Sequence, residues 1–200
     1  MRKWIGLSLI AIGLIIGTYY YLDWNKGRLS AEELTTKEIK HYNEKAHQKP
    51  VPQKKVAQPQ IPASQVQHEA GEHVANLIIP TIKKKYSVYW GADEDVLKKG
   101  VGMFVSDLTT TPSGNGHTVL SGHRDTVFTE LGALQEGDQL LVEYENHTYT
   151  YKIKKTWITD ADDRTVIVKK SKPVLTLTTC YPFEYIGHAP DRYIIQAELI

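Results

Sequence analysis

Apolar and polar positions divide the chain into three regimes. From Trp4 to Leu22 no charged residue interrupts an apolar run. From 23 to 73 polar and charged residues dominate, with Gln repeated and Pro50, Pro52, Pro59 and Pro62 spread through the second half. From 74 to 200 short apolar runs, rich in β-branched and aromatic residues, alternate with turn residues. The first regime predicts a helix able to cross a bilayer, since about 1.5 Å per residue brings it close to the roughly 30 Å hydrocarbon core. Arg2 and Lys3 before it, and Tyr19, Tyr20 and Tyr21 at its far end, predict a single-pass cell-membrane anchor with a cytoplasmic N-terminus and the rest of the chain outside. A cleaved signal peptide fits less well: the run is long for one, and Tyr-Tyr-Tyr-Leu-Asp stands where small residues are needed.

The second regime cannot bury a core. It reads as a spacer with a root-mean-square reach of roughly 35 to 40 Å. Within it Ser30 and Glu33 fit a capping box, predicting a short polar helix over 31–45 without a clear apolar stripe.

The third regime reads as β structure. Leu140, Val142 and Tyr144 alternate along 139–144, and Tyr149, Tyr151 and Ile153 along 148–153, with Glu145-Asn146-His147 as the connecting turn. Further strands are expected at 77–82, 118–121, 165–168, 174–180 and 193–199, and helical turns at 93–99 and 127–134. Many short strands with no helix–strand rhythm predict an all-β fold, a closed or partly closed barrel rather than a doubly wound sheet. The expected organisation is an anchor over 1–22, a polar linker over 23–73 and one folded domain over 74–200.

A hydrophobic content of 41% supports one core of that size. The net charge of +1 lacks the positive bias of a nucleic-acid binder, so no nucleic-acid partner is expected. One cysteine, Cys180, excludes a disulfide within the chain. A lone thiol in an extracytoplasmic protein pairs with another chain, stays inert or does chemistry.

Alternation along 174–180 puts Thr176, Thr178 and Cys180 on one face and Leu177 and Thr179 on the other. A loop with Pro182, Gly187 and Pro190 leads to Arg192. Antiparallel pairing of the two strands would set the guanidinium beside the sulfur, at a strand spacing of about 4.8 Å. There it could favour thiolate and hold a carbonyl oxygen gaining negative charge. His123 follows 118–121 across Gly122, a rim position from which an imidazole could accept and return a proton. From position alone the trio reads equally as a packed thiol, a histidine bonded to loop backbone and an arginine paired with Asp191.

No metal or cofactor is expected. His117 and His123 are separated by a strand with no completing ligands, and His117 reads as structural or solvated. Asp107, Glu143 and the acids of 160–163 could be proposed for calcium, but Asp160-Ala161-Asp162-Asp163 lacks the spaced ligands and glycine of an EF-hand loop. Asn146-His147-Thr148 matches a glycosylation acceptor but falls in the hairpin turn. Trp90 and Trp157 read as core or groove-wall residues.

Three segments carry a family resemblance. Gly114-Asn115-Gly116-His117-Thr118-Val119-Leu120-Ser121-Gly122-His123-Arg124-Asp125, Thr176-Leu177-Thr178-Thr179-Cys180 and Asp191-Arg192-Tyr193 resemble, in order, the histidine, TLxTC and arginine motifs of sortases. Ile79-Pro80-Thr81-Ile82, Leu97-Lys98-Lys99-Gly100-Val101-Gly102 and Leu134-Gln135-Glu136-Gly137-Asp138 resemble further landmarks, so the resemblance covers 77–200. Cys180-Tyr181-Pro182-Phe183 with Ala189-Pro190-Asp191-Arg192-Tyr193 is most similar to class D.

The resemblance implies an eight-stranded sortase-type β-barrel and a transpeptidase. Cys180 would attack after Thr in an LPxTG-like sorting signal to give a thioacyl enzyme, with hydrolysis as a side reaction. His123 would protonate the departing amine and deprotonate the incoming one, and Arg192 would orient substrate and stabilise the oxyanion. The implied partners are surface proteins bearing a C-terminal LPxTG-like sorting signal, a peptidoglycan precursor amine and the membrane. Rival readings are an L,D-transpeptidase, whose Ser-His-Gly-Cys cluster is missing around Cys180, a peptidoglycan hydrolase, or a non-enzymatic wall-binding module with an inert thiol. Pilin-polymerising members often add a C-terminal span and an Asp-Pro-aromatic lid; with neither in view, wall anchoring is the expectation.

Overall fold

The computed structural model of the protein describes residues 2–47, 60–184, 187 and 189–200. Its body is a closed barrel of eight strands: β2 (His73–Ile79), β3 (Lys84–Trp90), β4 (Val101–Met103), β5 (His117–Ser121), β6 (Gln139–Tyr144), β7 (His147–Asp160), β8 (Val174–Tyr181) and β9 (Asp191–Leu199). Around the barrel the order is β3-β2-β6-β7-β9-β8-β5-β4, and a parallel β3–β4 pairing closes the ring. Closure brings β4 hard against the chain after β3. A Cβ at Gly102 would lie 2.5 Å from the Gly91 carbonyl oxygen, so no larger residue fits there without movement.

Alternate residues of the strands fill the interior. Leu77, Tyr86, Leu120, Tyr151, Leu177 and Ile195 are among those with almost no exposure. The β6–β7 connection has two residues, Glu145 and Asn146, both at positive φ, so His147 already belongs to the strand rather than to the turn. That conformation matches the twist of a tight hairpin. A register shift between Ile153 and Lys155 bends the long strand β7.

Several expected elements differ from those observed. The strand expected at 77–82 ends at Ile79, because Pro80 opens a 3-10 turn over Pro80–Ile82. The segment 165–168 is not a strand: the Asp163 carboxylate accepts from both the backbone nitrogen and the hydroxyl of Thr165, folding the chain into a turn. Within 127–134 only Leu131–Ala133 is helical, while Val127 and Phe128 turn into the core. Within 93–99 the helix α3 covers Glu94–Leu97, capped by the Asp93 carboxylate on the Val96 nitrogen.

The N-terminal half holds more structure than a spacer. An apolar helix α1 spans Arg2–Leu29. The Ser30/Glu33 box is not used, because Ala31–Glu33 forms strand β1, paired antiparallel with Tyr86, Lys85 and Lys84. The box that is used lies five residues on: Thr35 and Glu38 exchange backbone and side-chain bonds and start α2 (Thr36–His47). Leu34, Ile39 and Tyr42 then pack on Ile78 and Leu141 of the barrel wall, with the Tyr42 hydroxyl donating to Glu143. Residues 60–66 also lie on the barrel, where Ala63 is buried and donates to the Thr109 carbonyl. Pro50, Pro52 and Pro59 lie outside the described residues.

Candidate active site

Cys180 is the penultimate residue of β8, and its registered partner on β9 is Arg192. Opposed residues of an antiparallel pair share a face. Thr176 and Thr178, on the same face as the thiol, oppose Gln196 and Ile194, whereas Leu175 and Leu177 point into the core. The thiol therefore stands on the outer face of the barrel wall, half-buried. On the far side of β9, Thr159 of β7 registers with Arg192.

His123 follows the strand on the other side of β8. β5 runs parallel to β8 with Ser121 opposite Thr178, and Gly122 stays attached, donating to the Thr178 carbonyl. The buried Thr179 hydroxyl donates 2.7 Å to the Gly122 carbonyl. His123 stands two residues past the Ser121–Thr178 pair, as Cys180 does on β8, in the segment that leaves β5. Thr159, Arg192 and Cys180 thus form one row across three adjacent strands, spaced about 4.8 Å apart. Gly122 is required here by space: a Cβ would meet Phe128 and Val127 side chains at 2.7 Å.

Arg192 is held by loop backbone, not by a carboxylate. Its Nη1 donates to the carbonyls of Ala189, at 3.2 Å, and Asp191, at 3.0 Å. Both bonds use one nitrogen, so the opposite edge of the fork has no protein acceptor among the described residues. Nearby, Asp163 accepts from the Thr159 and Thr165 hydroxyls, which hold its carboxyl below the usual range. Ala161 donates to the Pro190 carbonyl, so the loop leaving β7 is fastened to the one entering β9.

His117 lies one turn of the pattern away and does something different. It is buried, with Nδ1 donating to the Val168 carbonyl at 2.7 Å and Nε2 accepting from the Thr176 hydroxyl at 2.8 Å. Burial holds its pKa below the ordinary value, partly opposed by the Val168 carbonyl. The imidazole is neutral and pins the β7–β8 loop onto the wall. Gln60 adds a second pin, donating to the carbonyls of Asn115 and Lys170.

The acids weighed as cation ligands are otherwise engaged: Asp107 accepts from Ser64, Glu143 from Tyr42 and Asp160 from the Asp162 nitrogen. Among the described residues no group of three or more His, Cys, Asp or Glu side chains could hold a metal ion. Trp90 is a core residue, and Trp157 lies one row from Arg192, opposite Ile194, with the Lys155 ammonium 4.2 Å from its ring centre. Missed from the sequence are Thr179, Gln60 and Arg124, which act through backbone carbonyls and so leave no spacing signal.

A model of the sortase domain family matches residues 77–200. Over the full length of both proteins the chain is 40% identical to Sortase D of Bacillus subtilis (strain 168). Among solved structures, the catalytic domain of B. anthracis SrtD is 72% identical and superposes with a TM-score of 0.60, covering 68% of this chain and 93% of that one. A Clostridium perfringens Sortase D5 transpeptidase, 24% identical with a TM-score of 0.59 over 83% of this chain and 89% of its own, shares the fold.

Proposed function

Because this chain belongs to the sortase family of transpeptidases and groups with its class D members, we propose that it is a membrane-anchored cysteine transpeptidase that joins surface proteins to the cell wall. The observation that carries the reading is the registered pair of Cys180 and Arg192 at the end of β8, with β5, which leads to His123, on the other side of that strand. In the proposed reaction the Cys180 sulfur, its proton taken up by His123, attacks the Thr carbonyl of an LPxTG-like sorting signal. Negative charge develops on that oxygen beside the unengaged edge of the Arg192 fork, where preorganised donors act most strongly. His123 gives its proton to the departing amine, leaving a thioester. A peptidoglycan precursor amine then loses a proton to His123 and attacks the thioester, so an amide forms and the sulfur departs with that one proton shared back between it and His123. Water in place of the amine gives hydrolysis.

The helix α1 supports the location. Lys3–Leu22 has a mean hydropathy of 1.8 and none of it is buried against the barrel, so its apolar surface is available to lipid. With Arg2 and Lys3 cytoplasmic, the barrel faces the wall side, where sorting signal and lipid-linked acceptor meet the enzyme.

Incubation with an LPxTG-like peptide library and candidate amines, followed by mass analysis, tests the reading. Wild type should yield a thioacyl adduct on Cys180 that the amine discharges, and Cys180→Ala none. His123→Ala and Arg192→Ala should fold and lose on the order of 10²-fold or more in turnover, the scale of a general acid–base or oxyanion group. An adduct retained in Cys180→Ala, or undiminished turnover in either of the others, defeats the assigned role.

A further inference from the structure

We propose that Arg124 is a positioning residue of this site, clamping both limbs of the β8–β9 loop so that the loop carbonyls aim the Arg192 guanidinium. The inference rests on the transpeptidase reading. Arg124 follows His123 directly, yet only 7% of it is exposed. A guanidinium so buried needs its donors taken up. Nη1 donates to the Pro182 carbonyl at 2.8 Å and Nη2 to the Gly187 carbonyl at 2.7 Å.

The position of these acceptors gives the clamp its purpose. Pro182 is two residues past the thiol on the outgoing limb of the loop. Gly187 is two residues before Ala189 on the returning limb, and the Ala189 carbonyl is one of the two that hold Arg192. One rigid fork therefore fixes the separation of the limbs between nucleophile and oxyanion donor, and its backbone is continuous with His123. A lysine, with a single donor head, cannot span two carbonyls in this way. Arg192 depends on the carbonyls of that loop for its orientation, so loosening the clamp should misdirect it while leaving the thiol in place at the end of β8.

A merely structural brace would lower stability without coupling to Arg192, and a mutant cycle separates the two. Arg124→Met and Arg124→Lys are made alone and together with Arg192→Ala, and thioacyl formation is followed in single turnovers. For Arg124→Met we expect at least about a thirtyfold lower rate at saturating peptide, with half-saturation moved less than about threefold. Arg124→Lys should fall between it and wild type. In the Arg192→Ala background Arg124→Met should add less than about threefold, because both changes disable the same group. Alkylation of Cys180 by iodoacetamide should slow far less than thioacyl formation. If Arg124→Met does not melt cooperatively, Arg124→Lys carries the cycle. Losses that multiply in the double variant, normal turnover, or an equal slowing of alkylation would each overturn the proposal. The functional reading fails separately, by an adduct in Cys180→Ala or none in wild type, and this inference would fall with it.

Discussion

At the residue scale, two histidines six positions apart are sorted by their surroundings rather than by their neighbours in sequence. His123 stands half-buried two residues past β5, while His117 is enclosed between a carbonyl and a hydroxyl. The neutral form of His117 makes both bonds; protonation turns Nε2 into a donor facing a hydroxyl, next to the Lys170 charge that also lowers its pKa. The folded value lies below the unfolded one of about 6.5, so as pH falls the unfolded chain takes up the proton first and stability declines. The decline begins near pH 6.5 and stops only below the depressed folded value. Wild type should therefore melt at progressively lower temperature from about pH 7 toward pH 5.5, above the range where ordinary carboxylates titrate. His117→Gln, whose amide can still donate to Val168, should show a flatter profile in the same melts. Parallel profiles would place the pH sensitivity elsewhere.

At the element scale, β8 shows why some of the site was legible in the sequence and some was not. The alternating side-chain direction of a strand over 174–180 sets the thiol's face, and antiparallel pairing with the next strand brings Arg192 opposite it, as the sequence led one to expect. The placement of β5, which leads to His123, beside β8 depends on a parallel pairing, which a sequence pattern does not encode. β3 carries a readable alternation of Tyr86, Val88 and Trp90, but the Lys83-Lys84-Lys85 run at its start hides it; β4 has only three residues, one of them glycine. Thr179 is invisible for another reason: its value lies in one bond to the Gly122 carbonyl, just before His123. Thr179→Val keeps the shape and removes the donor, which should lower stability by about 1–3 kcal/mol for a buried acceptor left unmet. Urea unfolding should report that loss, and thioacyl formation should slow several-fold as the His123 segment loosens. Thr179→Ser should recover most of both; recovery of neither would show that the methyl packing, not the hydroxyl, matters.

At the scale of the whole molecule, the attachment of barrel to helix differs most from the sequence reading. A spacer over 23–73 would let the domain roam, but β1 begins at Ala31, two residues after α1 ends at Leu29, and is already a strand of the barrel sheet. With α1 in the bilayer as proposed, the seven helical residues after Leu22 add only about 10 Å at 1.5 Å per residue. The barrel is then held close to the lipid surface by the β1–β3 pairing, where Glu32 opposes Lys85 and Glu33 opposes Lys84, as favourable cross-strand charges do. Opposed Cα atoms in such a pair lie about 4.5–5.5 Å apart, within reach of a disulfide. In a Cys180→Ala background, Glu32→Cys with Lys85→Cys should therefore oxidise to a single intramolecular bond in intact membranes, detected as a cross-linked peptide by mass analysis. Asn76→Cys with Ser87→Cys, registered partners on β2 and β3, provides the positive control. A bond in the control pair but not in the 32–85 pair would mean that β1 leaves the barrel in the membrane, and the short tether would be replaced by a long one.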